Sequence, residues 1–126
     1  MTLRCLIVDD NAGFLEAAAA ELAREGLTVV GVASNGAEAL MRARELRPDV
    51  ILVDIALGAE SGLELARRLV EADPDGARVI LISTHEEADF ADLIEATPAA
   101  GFVAKSALSA SAVRRLAGRP NEPRGT

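Results

Sequence analysis

Apolar positions alternate along the chain between short continuous runs and stripes of helical spacing. Leu3 to Val8 is a short run rich in branched residues, the pattern of a strand buried on both faces. Asn11 then offers an N-cap, and Phe14, Leu15, Ala18 and Leu22 fall on one helical stripe that ends at Gly26. The alternation repeats: Thr28 to Val32 as strand, Gly36 to Leu46 as helix, Val50 to Asp54 as strand, Ser61 to Glu71 as helix. It continues with Val79 to Ser83 as strand, a helix over Glu86 to Ala96, Gly101 to Ala104 as strand, and a short last helix from Ser109 to Leu116.

Turn-forming residues punctuate these elements at Ser34-Asn35-Gly36, Arg47-Pro48-Asp49, Asp73-Pro74-Asp75-Gly76 and Thr97-Pro98. Five β-α units in a row predict an α/β fold with a parallel sheet and helices on both faces, because right-handed crossovers leave few other arrangements. Such folds bind ligands outside the carboxyl ends of their strands. Four runs stop on polar residues at those ends: Ile7-Val8-Asp9-Asp10, Val53-Asp54, Ile82-Ser83 and Val103-Ala104-Lys105. Three carboxylates, a hydroxyl and an ammonium brought to one edge suit a hard cation and a phosphoryl group.

Composition narrows the picture. The 126 residues fit one domain, and with half of them apolar but only 2% aromatic, the core is built from Leu, Ile, Val and Ala. A formal charge of -7 argues against direct binding of nucleic acid, which recruits clustered Lys and Arg. The single Cys5 lies inside the first apolar run and reads as a small buried hydrophobe. Met1-Thr2-Leu3-Arg4 shows no signal-peptide pattern and no segment reaches transmembrane length, so a cytoplasmic location without membrane contact is expected. The domain is expected over residues 1–118. Residues 119–126, with two prolines and no apolar period, read as a disordered tail or a truncated linker.

Asp9 and Asp10 would point to opposite faces of a regular strand, but a loop at the strand end can turn both toward one ion. The alternative for this pair is capping of the following helix. Asp54 is more informative, because a carboxylate closing the run Val50-Ile51-Leu52-Val53 needs a partner to sit there, and a cation is the obvious one.

Taken together, Val8-Asp9-Asp10, Val53-Asp54-Ile55 with Ser61-Gly62, Ile82-Ser83 and Gly101-Phe102-Val103-Ala104-Lys105 resemble the receiver domain of two-component response regulators. The resemblance implies a flavodoxin-like, doubly wound five-stranded parallel sheet of order 2-1-3-4-5. It implies that Asp54 is the phosphoacceptor, and that Mg2+ is held by Asp10 directly, Asp9 mainly through water, Asp54, and the backbone carbonyl of Ala56. Lys105 would pair with the phosphoryl oxygens and Ser83 would hydrogen-bond to one of them, while Ser83 and Phe102 would form the switch. A sensor histidine kinase or histidine phosphotransfer protein is the implied phosphoryl source. The implied output is the face of fourth helix, fifth strand and fifth helix. That face would dock a target protein, an output domain absent from this chain, or a second copy in a phosphorylation-dependent homodimer. Its acidic residues Glu86, Glu87, Asp89, Asp92 and Glu95 oppose Arg114 and Arg115, although charge runs are also ordinary solvated faces.

Several positions depart from the commonest family pattern. Gly58 stands in place of proline four residues after Asp54, which predicts a more mobile loop. Thr84 adds bulk after Ser83, and Ser106 replaces the proline that commonly follows the lysine. His85 sits where the family tunes dephosphorylation, with a solvated residue near a helix start as the alternative. Ala56 offers no side chain to orient a hydrolytic water, so self-dephosphorylation is expected to be slow. Two other classes stay in view. An aspartyl-phosphate hydrolase of the haloacid dehalogenase type would carry Asp-x-Asp on an early strand rather than adjacent aspartates. A flavodoxin-like nucleotide or flavin module would need a first loop less acidic than Asp10-Asn11-Ala12-Gly13.

Overall fold

The computed structural model describes residues 2–84 and 91–123. Along the chain run β1 (Arg4–Val8), α1 (Ala12–Arg24), β2 (Thr28–Ala33), α2 (Gly36–Leu46) and β3 (Val50–Asp54). A two-residue hairpin follows, β4 (Ala56–Leu57) and β5 (Glu60–Ser61), then α3 (Gly62–Ala72), β6 (Arg78–Ser83), α4 (Ala91–Ala96), β7 (Gly101–Ala104) and α5 (Ala110–Ala117). The main sheet is parallel throughout, in the order β2-β1-β3-β6-β7. With the hairpin strands set aside, this is the expected order of the five long runs.

The sheet is buried on both sides, which is why its strands read as unbroken apolar runs. Cys5, Ile7, Val50, Leu52, Ile80 and Ile82 face a core closed by α1 and α5. Their neighbours Leu6, Val8, Ile51, Val53, Val79 and Leu81 face a second core against α2, α3 and α4. Helix starts follow local chemistry: Asn11, Asn35, Ser61 and Ser109 each accept a hydrogen bond from the backbone three residues on. Glu38 Oε1 also accepts from Ser34 N–H, which ties the turn before α2 to its first turn.

Two segments were not visible in the periodicity. One is the β4–β5 hairpin directly after Asp54. The other is residues 119–123, where a disordered tail or truncated linker was expected. Asn121 Oδ1 accepts from Val79 N–H at 2.9 Å, its Nδ2 donates to Ala77 carbonyl at 2.8 Å, and Glu122 bridges to Ala99 in antiparallel fashion. One amide side chain thus takes the place of a strand neighbour, a contact no apolar pattern encodes. Of the expected fourth helix, Ala91–Ala96 is described, while Glu86, Glu87 and Asp89 lie outside the described residues, as does His85. Among the described residues no helix is long and apolar enough to cross a membrane.

Cys5 is fully buried, and burial pushes its thiol up to about 12 from 9.0. The folded chain therefore keeps a proton that the unfolded chain releases, so between pH 9 and 12 stability falls as pH rises, by up to about 1.4 kcal/mol per unit. Urea unfolding at pH 8, 10 and 11 is expected to show a smaller decline for Cys5→Ala than for wild type. Thiol labelling at pH 8 is expected to proceed only as fast as the protein unfolds.

Candidate functional site

The register of the sheet brings the polar strand ends level. Val8 pairs with Val53, Asp54 with Ile82, and Ser83 with Ala104, so Asp9, Asp54, Ser83 and Lys105 emerge at one edge. The strand order reverses between β1 and β3, the place where folds of this kind open a crevice.

Asp9 is fully buried. Its backbone N–H bonds Ala33 carbonyl, its Oδ1 accepts from Asn11 N–H at 2.8 Å, and its Oδ2 lies 2.5 Å from Lys105 Nζ. Capping of α1 falls to Asn11, which leaves the aspartate pair for the crevice. Asp54 is almost fully buried, with Oδ1 accepting from Ala56 N–H at 3.0 Å and Oδ2 accepting from Lys105 Nζ at 3.0 Å. Lys105 opens a 3-10 turn after β7, and its ammonium also stands 4.2 Å from the centroid of the Phe14 ring. Phe14 was expected only as part of a helical stripe, and no spacing rule ties it to a lysine 91 positions away (105 minus 14).

Charge in the crevice is unbalanced. Burial, the largest influence, raises the pKa of Asp54, and Asp9 pushes it the same way, against the lowering effects of the Ala56 N–H and Lys105. Burial alone would lower the pKa of Lys105, but its bonds and attraction to Asp9 and Asp54 together outweigh that and hold it protonated above its usual value. Asp9, Asp10 and Asp54 each offer an oxygen within 4.8 Å of the others, against this one ammonium. Buried Asp9 Oδ2 meets Lys105 as a close ion pair. Hard oxygen donors and surplus negative charge fit a small divalent cation.

The hairpin covers this edge. Ile55 N–H bonds Ile82 carbonyl and Gly62 N–H bonds Ile55 carbonyl at 2.9 Å, so both ends of the loop are tied down. Ala56, exposed, lies between Asp54 and the turn. Gly58 adopts φ 59, in the left-handed region closed to proline, and a Cβ there would lie 3.2 Å from Asp10 Oδ2. Glycine at this position permits a tight turn closed by two hairpin pairs.

Ser83 is buried at the end of β6, and Thr84 is exposed beside it. Phe102 is half-buried in β7, against the second core and beside a cavity of about 240 Å³ lined by Ile94, Thr97, Arg115 and Leu116. Leu93 on α4 is exposed nearby. Of the two arginines expected on this face, Arg114 turns away and donates to Glu25 carbonyl in the α1–β2 turn. The chain passes Ser106 with no cis peptide bond among the described residues. A larger cavity, about 690 Å³ against Arg44, Asp49 and Arg78, lies at the opposite end of the sheet.

Residues 5–116 match the family model described as the response regulator receiver domain. The response regulator GacA of Pseudomonas viridiflava is 37% identical over 115 residues, covering 90% of this chain and 53% of the relative. This chain thus spans about half the length of that curated relative. Among solved structures, a two-component response regulator of the LuxR family from Aurantimonas sp. SI85-9A1 superposes with a TM-score of 0.82 at 30% identity. It covers 98% of this chain and 91% of that one. A response regulator protein from Burkholderia pseudomallei, solved with a phosphorylated aspartic acid, a calcium ion and citrate, gives 0.77 at 31% identity, over 90% of this chain and 65% of that one.

Proposed function

The chain belongs to the receiver-domain family of two-component response regulators, and from that premise we propose that it is a switch phosphorylated on Asp54 in a Mg2+-dependent reaction. The observation that carries this reading is the Asp54 carboxylate at the end of β3, with Lys105 Nζ 3.0 Å from Oδ2 and the oxygens of Asp9 and Asp10 beside it. The Burkholderia structure, with its phosphorylated aspartic acid and divalent ion, supports it.

Asp54 acts as the nucleophile. One carboxylate oxygen attacks the phosphorus of a phosphohistidine or small phosphodonor, the bond to the leaving group breaks with its electron pair leaving on that group, and an acyl phosphate remains. The Ala56 N–H on Oδ1 and the ammonium on Oδ2 fix the carboxylate's orientation before attack. Lys105, held charged by Asp9, then offsets negative charge that builds on the phosphoryl oxygens. Ser83, one residue beyond the Asp54–Ile82 pair in the neighbouring strand, supplies a hydroxyl for one of those oxygens. Bound Mg2+ would be held by Asp9, Asp10, Asp54 and the Ala56 carbonyl, and would supply positive charge against the negative charge that develops in transfer. The donor is a sensor histidine kinase or phosphotransfer protein in the cytoplasm. The response passes through α4, β7 and α5 to a target protein, an output domain or a second copy.

The test is intact-mass measurement after incubation with a small phosphodonor, with Mg2+ or with chelator. Gain of one phosphoryl group only with Mg2+ is expected. No gain under conditions where Mg2+ binds would leave the domain an interaction module. Asp10→Asn removes a direct ligand and is expected to weaken Mg2+ binding by more than the roughly tenfold that loss of an outer-shell partner costs, read in a calorimetric titration. Mg2+ at about ten times its Kd is expected to stabilise the wild type by about 1.4 kcal/mol, and Asp10→Asn much less at the same concentration.

A further inference from the structure

The hairpin after Asp54 is short. It consists of two residue pairs, Ala56 with Ser61 and Leu57 with Glu60, around the turn at Gly58. Yet it carries the N–H that bonds Asp54 Oδ1, and its turn lies beside Asp10, whose Oδ2 would stand 3.2 Å from a Cβ at Gly58. A side chain ties it to another element. Glu60 reaches across 24 positions, and its Oε1 accepts from the backbone N–H of Gly36 at 3.1 Å. Gly36 is the first residue of α2. Asn35 caps this helix through Glu38 N–H, so the Gly36 N–H is one of the terminal donors left without an intrahelical partner. A carboxylate at that position also meets the positive end of the helix dipole.

We propose that Glu60 is a positioning residue for the metal site: its bond to Gly36 sets the height of the hairpin over Asp54 and Asp10, and so the affinity for Mg2+. The inference rests on the metal-binding function proposed above. Because Glu60 is exposed, its bond contributes little to global stability. Its effect falls on the placement of Ala56, which bonds Asp54, and of Gly58, which lies beside Asp10.

Gly36 supplies an independent way to disturb the tie. A Cβ there would stand 2.7 Å from Glu60 Oε2, the end of a flexible side chain, so Gly36→Ala displaces the carboxylate without touching the hairpin. The same change improves helix propensity in α2. The experiment is calorimetric titration of MgCl2 into wild type, Glu60→Ala, Glu60→Gln, Gly36→Ala and the Glu60→Ala/Gly36→Ala double variant, with thermal unfolding of each in chelator. Glu60→Ala and Gly36→Ala are each expected to weaken Mg2+ about tenfold, the low end of what outer-shell partners supply. Glu60→Gln keeps an acceptor oxygen and is expected to bind like wild type. The double variant is expected to be no weaker than either single, since both remove one bond. Melting temperatures in chelator are expected to stay close to wild type, with Gly36→Ala at or above it. Wild-type affinity in Glu60→Ala, or additive losses in the double variant, would overturn the positioning role while leaving the proposed function standing. A wild type that binds no Mg2+ would overturn both.

Discussion

Asp54→Asn is expected to take up no phosphoryl group from any donor, at any Mg2+ concentration, while remaining folded. An amide is almost the same shape as a carboxylate, and its oxygen still accepts the Ala56 N–H. Its lone pairs are delocalised, and it carries no charge to direct at phosphorus or share with a cation. Lys105 keeps Asp9 as a partner, so the substitution does not leave a buried ammonium unpaired. It also removes one of three crowded carboxylates, including the one whose pKa burial raises. Circular dichroism should therefore match wild type. Intact-mass spectra should differ by the phosphoryl group alone. Uptake in Asp54→Asn at the wild-type rate would move the chemistry to another residue.

Gly62→Ala is expected to produce the largest loss of stability of any single-methyl change near the site. A Cβ at this position would lie 1.7 Å from the carbonyl oxygen of Asp54 and 2.7 Å from the Cα of Ile55. These are backbone atoms, and they belong to the strand end that holds the nucleophile. Neither can swing aside as a side chain would, so the start of α3 must separate from the end of β3. That separation also stretches the hydrogen bond from Gly62 N–H to Ile55 carbonyl. A loss of about 3 kcal/mol or more is expected, at the upper end of overpacking effects. For a domain of this size that lowers the melting temperature by roughly 10 °C or more. Where the variant still folds, phosphoryl uptake should fall with it, because the displaced atoms include Asp54 itself. A melting temperature within a degree or two of wild type would mean that the close approach is relieved without strain.

Much of this architecture was legible before any coordinates, for identifiable reasons. Strands buried on both faces cannot hide their pattern, and Val50–Asp54 reads correctly to the residue. Asn11 marks the first helix start as its cap, while Ser61 and Ser109, read as first helical residues, and Asn35, read as a turn residue, prove to be caps as well. Asp9, Asp10, Asp54 and Lys105 could be placed at one edge because polar residues at the ends of parallel strands have nowhere else to converge. What escaped notice was specified by single contacts rather than by repetition. Phe14 under the ammonium, Asn121 bonded to the edge of β6, and Glu60 bonded to α2 each depend on one side chain meeting one distant group. Gly58 is the instructive case. The backbone there has a φ of 59, which proline cannot adopt, so glycine in place of the family's proline sets the shape of the turn, and no spacing pattern encodes that.

The central claim is that the phosphoryl group is held as an acyl phosphate on Asp54, and reduction locates it directly. The protein is phosphorylated with a small donor and Mg2+, treated with borohydride, and mapped by peptide mass spectrometry. Borohydride reduces an acyl phosphate to an alcohol and leaves free carboxylates alone. The account predicts homoserine at position 54, absent when donor or Mg2+ is withheld. Unreduced Asp54, with the phosphoryl group recovered on Ser83, Thr84 or His85 instead, would contradict it.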